Sequence, residues 1–348
     1  MKILIFTPNK SIKGGVSNFY SIAEKYFTKD IKCISFNSIG YKGVLKPFIN
    51  IVNFLIAIIK ILYYNPITVV VNPSLGKTAI LRDGILIFWC KILNKKTIVF
   101  WRGWNQDNEI ILQNGFIKSL FEKTFKKVDK HIVLNKYLED FLIEVGVSAS
   151  KVERSTTLVD DSYFNQSAKL KDEIFSILFL SRIEKYKGIY EALEAYKIIS
   201  ENRNVEFIIA GIGNEIEKIK KKIDREKIKG VKILGFIDGE KKREVFQLSD
   251  CYLFPSYSEG MPNSVLEAMA SGLPIISRPV GGLVDFFEED KMGYLIESLD
   301  PKEYAEKIIH LLENKEKIKE IGKYNHEYAK DNFLASKVTT KLEFILKK

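Results

Sequence analysis

Two α/β domains, each a doubly wound parallel sheet, are predicted for this 348-residue chain by three features. Short apolar runs alternate with amphipathic stretches of helical period, the pattern of strands joined by crossover helices. Glycine-bearing turns sit where those runs end, at Gly14-Gly15, Gly188, Gly211-x-Gly213 and Gly281-Gly282. Residues 165–173, NQSAKLKDE, are polar and aperiodic, and divide the chain into domains of 1–165 and 174–325, with 326–348 as a C-terminal helix. A chain of this length can bury two cores of ordinary size.

The composition, 46% hydrophobic and 28% charged, is that of a globular protein. Three cysteines, Cys33, Cys90 and Cys251, lie far apart in apolar runs, so a reducing, cytoplasmic setting without disulfides is expected. Three histidines without HExxH spacing make a metal site improbable, and no metal or other cofactor is expected. The net charge of +10 raises nucleic acid as a partner, but the lysines are spread over many helices and no helix-turn-helix, zinc-finger or RNP-like pattern accompanies them. An anionic membrane surface at the inner face of the membrane fits better, and a solvated Lys-rich face stays open beside it.

MKILIFTPN reads as a strand beginning at the first residue, so no signal peptide is expected before it. It runs through Gly14-Gly15 into a helix marked by Val16, Phe19, Ile22, Ala23 and Tyr26. IKCISFNS is the second strand. Phe48 to Tyr64 is almost wholly apolar but short for a membrane span, contains Lys60, and is followed after Pro66 by the strand ITVVVNPS. It is therefore either a buried domain helix or one whose outer face dips into a lipid interface, with Lys42, Lys46, Lys60, Lys77 and Arg82 as basic flanks. Thr78 to Asn94 is helical and leads to the strand KTIVFW and the loop RGWNQDNE. Arg102 in that loop is either a bidentate holder of an anion or a structural arginine paired with Asp107 or Glu109. His131 opens the next strand.

The second domain begins with a strand ending at Ser181, then Arg182, Lys187, Gly188 and an amphipathic helix. An Arg and a Lys at such a turn supply a fork and a point charge suited to a diphosphate. Gly211 and Gly213 without a third glycine are weak support for a dinucleotide fingerprint. The segment from Pro255 to Asp285 packs a strand end, a loop, a helix start at Pro262 and a second glycine turn into one stretch. Its helix N-terminus, near Gly260 to Ser264, favours an anion. Glu259 precedes that start and Glu267 lies about two turns inward; ionised carboxylates accept hydroxyl hydrogen bonds, so the pair points to a nucleotide sugar. Read plainly, Glu259 is a solvated loop residue and Glu267 an acid favoured by the helix dipole.

The frame PSYSEGMPNSVLEAMASGLPII, Glu259 and Glu267 with their flanking Gly, Ala and Pro residues, resembles the signature of the GT4 family of retaining glycosyltransferases, which have the GT-B fold of two Rossmann-like domains facing across a cleft. The resemblance extends over nearly the whole chain. It implies that Glu267 binds the ribose, Glu259 the donor sugar, and Arg182 with Lys187 the diphosphate, Lys185 being a weaker substitute. It further implies donor contacts at Gly15, Ile237, Gly260 and Met261, with Val280-Gly281-Gly282 beside the sugar. The first domain would bind the acceptor, a glycan or lipid-linked hydroxyl compound, in cell-surface polysaccharide biosynthesis.

The chain departs from the family at four places. Arg102-Gly103 replaces the usual His-Gly near the reacting centre, and an arginine cannot act as a general base. Asn135 stands where Ser is common, Thr157 to Asp160 replaces Asn-Gly-Val-Asp, and Asp285 replaces Glu. Arg102 and the altered 157–160 stretch leave a non-catalytic nucleotide-sugar or glycan-binding subunit as the rival function, against which the retention of Arg182, Lys187, Glu259 and Glu267 together argues. A nicotinamide-dependent oxidoreductase would need the full glycine fingerprint and an acid after the second strand, and has neither.

Overall fold

The computed structural model describes residues 2–9, 14–36, 46–104, 106–113, 115–164 and 174–348, with the side chains of all but 46–51, 106 and 107. They form two compact units, Met1–Leu158 with Ala335–Lys348, and Val159–Leu334.

In the first unit the chain runs β1 (Ile3–Thr7), α1 (Gly15–Ala23), β2 (Ile31–Ser35), α2 (Lys46–Tyr64), β3 (Thr68–Val71), α3 (Lys77–Ile92), β4 (Lys96–Phe100), α4 (Gly115–Lys123), β5 (Lys130–Val133), α5 (Lys136–Glu144) and β6 (Val152–Arg154). The strands pair in parallel in the order β2-β1-β3-β4-β5-β6. Continuous apolar runs such as Thr68–Val71 are buried on both faces, as a parallel sheet with helices on each side requires. His131 in β5 is part of this core. The indole N–H of Trp101 can only donate, so Nδ1 of His131 accepts it at 3.1 Å and Nε2 donates to Phe125 O at 3.1 Å. Burial pushes that imidazole down to about 3, so it stays neutral.

The second unit repeats the plan with β7 (Phe175–Leu180), α6 (Ile189–Ser200), β8 (Val205–Ala210), α7 (Ile216–Glu226), β9 (Val231–Gly235), α8 (Gly239–Leu248), β10 (Cys251–Phe254), α9 (Asn263–Ala270), β11 (Ile275–Ser277), β12 (Gly293–Leu295), α10 (Pro301–Glu313) and α11 (Lys315–Asn332). The order β12-β11-β10-β7-β8-β9 makes the chain leave β7 in one direction and return beside it at β10, so a topological switch point lies between the carboxyl ends of β7 and β10. The last helix, α12 (Ala335–Lys347), belongs to the first unit: Glu343 accepts from Thr28 N and Oγ1, and Lys130 donates to Ile345 O.

Two boundaries differ from the sequence reading. The units divide between Leu158 and Val159, ahead of the 165–173 stretch, which lies outside the described residues. Val159 N donates to Phe333 O at 2.8 Å, which fastens the start of the second unit to its end. The C-terminal helix expected over 326–348 is broken, because the buried Asn325 amide donates to Leu273 O and Met292 O and keeps α11 on the second unit, so that only 335–348 rejoin the first. Among the described residues no disulfide joins the three cysteines, and no helix is long and apolar enough to cross a membrane.

Candidate functional site

The loops leaving β7 and β10 meet at the switch point and carry most of the predicted site. Gly188 follows Lys187 with φ of +77°, and a Cβ there would lie 2.2 Å from Pro255 O, so only glycine lets the two loops touch. Tyr257 N donates to Tyr186 O at 2.9 Å, closing the contact. The Gly211-x-Gly213 turn supports the same loop: Ile183 N donates to Ile212 O and Glu215 N to Ile183 O, so those glycines hold the Arg182 segment in place.

Lys187 is 7% exposed, and its ammonium is hydrogen-bonded to Glu259 Oε1 across the loops. Ser256 Oγ donates to that same Oε1 at 2.8 Å. Both bonds fall on one carboxylate oxygen, so Glu259 is fixed through Oε1, while no bond to Oε2 occurs among the described residues. Arg182 is exposed, lies 5.6 Å from the Tyr186 ring, and makes no ion pair among the described residues. Lys185 is exposed as well.

Gly260 joins this loop to the glycine turn after β11: Gly282 N donates to Gly260 O at 2.7 Å. At Gly281, φ is +55° and a Cβ would lie 2.3 Å from Gly260 O, so the two turns are in backbone contact. Met261 packs against the core of the unit. Helix α9 starts at Asn263, with Pro262 as the extended residue before it (φ −76°, ψ 105°), and Glu267 therefore sits about one turn inside the helix rather than two. The helix start is anchored by Tyr252, whose hydroxyl lies 2.8 Å from Leu180 O and 2.7 Å from Ser264 Oγ. Burial raises that hydroxyl well above its usual range, so it stays protonated.

Glu267 is only 5% exposed, and Lys242 Nζ lies 2.5 Å from its Oε2. Among the described residues that oxygen is nevertheless without a hydrogen bond, so the contact with Lys242 is an ion pair out of hydrogen-bond alignment. Lys242 is the residue that sequence reasoning missed. Ile237, buried in the turn before α8, shares with Lys242 the segment that meets Glu267.

Residues 160–328 match the model of the family Glycosyl transferases group 1. The second unit belongs to that family. "Uncharacterized glycosyltransferase MJ1069" of Methanocaldococcus jannaschii is 26% identical over 228 residues, 62% of this chain and 57% of the relative. "Amylovoran biosynthesis glycosyltransferase AmsK" of Erwinia amylovora is 26% identical over 232 residues, 64% of this chain and 56% of the relative. The chain thus spans little more than half the length of these relatives. Among solved structures, Anabaena Alr3699/HepE in complex with UDP and glucose aligns over 100% of both chains with TM-score 0.77 and 17% identity. Sucrose-phosphate synthase (tll1590) from Thermosynechococcus elongatus covers 99% of this chain and 98% of its own, with TM-score 0.81 and 16% identity. At such identities the likeness establishes the fold, which is GT-B.

Gly15 and Arg102 lie in the first unit. Gly15 opens α1, and residues 10–13 before it are outside the described set. The pairing of Arg102 with Glu109 is not found, since Glu109 accepts from Trp104 Nε1 at 2.7 Å and from Tyr137; the Asp107 side chain is outside the described residues. The Arg102 guanidinium instead lies 3.9 Å from the Phe19 ring centroid and 4.8 Å from that of Phe100. Its Nη2 is 3.5 Å from Thr157 Oγ1, and its buried Nε and Nη1 have no hydrogen-bond partner among the described residues. Burial lowers it to about 10, which still leaves it charged at neutral pH. Among the described residues no three His, Cys, Asp or Glu side chains gather as metal ligands do.

Proposed function

We propose that this protein is a retaining glycosyltransferase that moves a sugar from a nucleoside diphosphate sugar to a hydroxyl of a glycan or lipid-linked acceptor, in cell-surface polysaccharide biosynthesis. The observation that carries the reading is Glu259, held at Oε1 by Lys187 and Ser256 with Oε2 left over at the carboxyl ends of β7 and β10. A carboxylate fixed by one oxygen offers the other to sugar hydroxyls without having to be ordered first. Lys187, with three donors, can keep Glu259 and still donate to a phosphate, while exposed Arg182 adds a bidentate fork. Glu267, buried and held by charge, takes the ribose hydroxyls. Backbone N–H groups near Gly260 and Met261 add positive potential where the leaving group gathers charge.

In the reaction the acceptor oxygen attacks the anomeric carbon on the face from which the diphosphate departs. The bond from that carbon to the β-phosphate oxygen breaks, and the departing phosphate takes the acceptor's proton. Arg182 and Lys187 neutralise the diphosphate in this reading, so it includes no metal. The HepE structure was solved with UDP and glucose, and relatives are named for amylovoran and, in Escherichia coli, colanic acid biosynthesis, so UDP-sugars are the first donors to try.

The test is release of nucleoside diphosphate from a panel of UDP-, GDP- and ADP-sugars, comparing the native chain with Lys187→Ala. Turnover of one donor class that falls at least tenfold in the variant supports the proposal. Tight binding of a donor with no turnover on any acceptor returns the protein to the non-catalytic reading.

A further inference from the structure

The two units differ sharply in charge. Residues 1–158 and 335–348 hold 27 Lys and Arg against 12 Asp and Glu, a net of +15, whereas 159–334 hold 27 against 32, a net of −5. The basic unit also carries an apolar surface. Helix α2 buries Ala57 and Ile61, yet the opposite side, Val52, Leu55, Ile56, Ile59, Leu62 and Tyr63, is exposed, with Ile59 61% and Tyr63 80% accessible. A helix apolar all round is expected in a core or against lipid, not facing water.

Helix α3 extends the surface. Right-handed crossovers place α2, which joins β2 to β3 past β1, and α3, which joins β3 to β4, on the same face of the sheet. Exposed Ile85, Phe88, Trp89 and Ile92 make an i, i+3, i+4, i+7 row along α3. From residue 46 to 92 the chain contains one acid, Asp83, which is buried and paired with Arg82 at 2.6 Å. The face is therefore apolar with basic edges, Lys60 and exposed Lys91 among them, and holds no exposed acid.

We propose that this face docks on an anionic lipid surface, lying flat in the interface with the α2 and α3 rows among the headgroups. Charge selects the occupant. A second copy offering the same face would set one +15 unit against another, whereas an anionic bilayer matches the basic edges and takes up the apolar rows, with Trp89 and Tyr63 suited to the interfacial layer. The inference rests on this surface alone and is independent of the transfer chemistry.

The test is co-sedimentation of the full chain with phosphatidylcholine vesicles with and without phosphatidylglycerol, at low and high salt. Binding to the anionic vesicles is expected, at least tenfold weaker on neutral lipid or at high salt. The double variant Ile59→Glu, Phe88→Glu should weaken it at least tenfold again, with the thermal midpoint unchanged. Should that variant not fold, Lys60→Gln with Lys91→Gln serves instead and should reduce binding to anionic vesicles alone. Indifference of the native chain to anionic vesicles overturns the proposal. So does light scattering that shows a dimer dispersed by the Ile59 and Phe88 changes while vesicles are ignored, which would assign the face to a second copy.

Discussion

Replacing Lys187 by alanine removes the cation from a pair whose side chains are only 9% and 13% exposed, so Glu259 is left almost desolvated with the Ser256 hydroxyl as its remaining donor. Breaking one side of a buried pair costs about 3 kcal/mol, and Glu259→Ala should cost a similar amount by stranding the ammonium. Removing both strands neither, so the double variant should lose about 3 to 4 kcal/mol instead of the sum of about 6, a coupling of about 2 to 3 kcal/mol. Urea unfolding of the four proteins measures this. Turnover should behave differently, because the account gives each residue its own contact with the donor: either single change lowers it at least tenfold, about 1.4 kcal/mol of barrier, and the double does not recover it. A coupling below about 0.5 kcal/mol would refute the view that the pair organises the loops, since contacting residues normally couple by more.

Three other outcomes are expected. Lys242→Met strands the buried Glu267 carboxylate and should lower stability by about 3 kcal/mol in urea, with at least half regained on adding Glu267→Gln. Gly188→Ala places a Cβ against Pro255 O at a left-handed φ, and should cost about 1 to 3 kcal/mol and lower turnover by moving the Lys187 loop; native-like unfolding would show the loop contact to be dispensable. His131, neutral when folded, binds its proton only near pH 3 against an ordinary value of 6.5, so the unfolded chain takes up the proton first and stability falls as pH drops from about 6.5 towards 3. At pH 5 this loss is about 2 kcal/mol, and His131→Gln should be correspondingly less sensitive between pH 7 and 5.

The elements that could be read from the chain are those with a strong period or a stop signal. Phe48 to Tyr64 and Thr78 to Asn94 match α2 and α3 within two residues at each end, because long apolar or amphipathic helices carry their own pattern. The domain boundary was not readable: the polar 165–173 stretch looks like a linker, but the units divide ahead of it, at Val159, whose N–H pairs with Phe333 O, a residue distant in sequence. Helix α9 illustrates the limit of cap signals, since Pro262 fits equally before or inside a first turn. In the site, Glu259 and Lys187 were legible as charges at strand ends, whereas their mutual bond was not, being fixed by the close approach at Gly188. Lys242 carried no signal among its Lys and Arg neighbours; only the packing of α8 beside α9 selects it. The Gly211-x-Gly213 turn, readable as a ligand fingerprint, serves the backbone of the Arg182 loop instead.

The most direct measurement is thermal unfolding of the native chain and of Glu267→Ala with UDP, GDP or ADP, with and without EDTA. One nucleotide should stabilise the native protein, by about 2.7 kcal/mol at a hundredfold excess over Kd, EDTA should leave the shift intact, and Glu267→Ala should abolish it. No stabilisation by any nucleotide, or an undiminished shift in the variant, would contradict the nucleotide-sugar site.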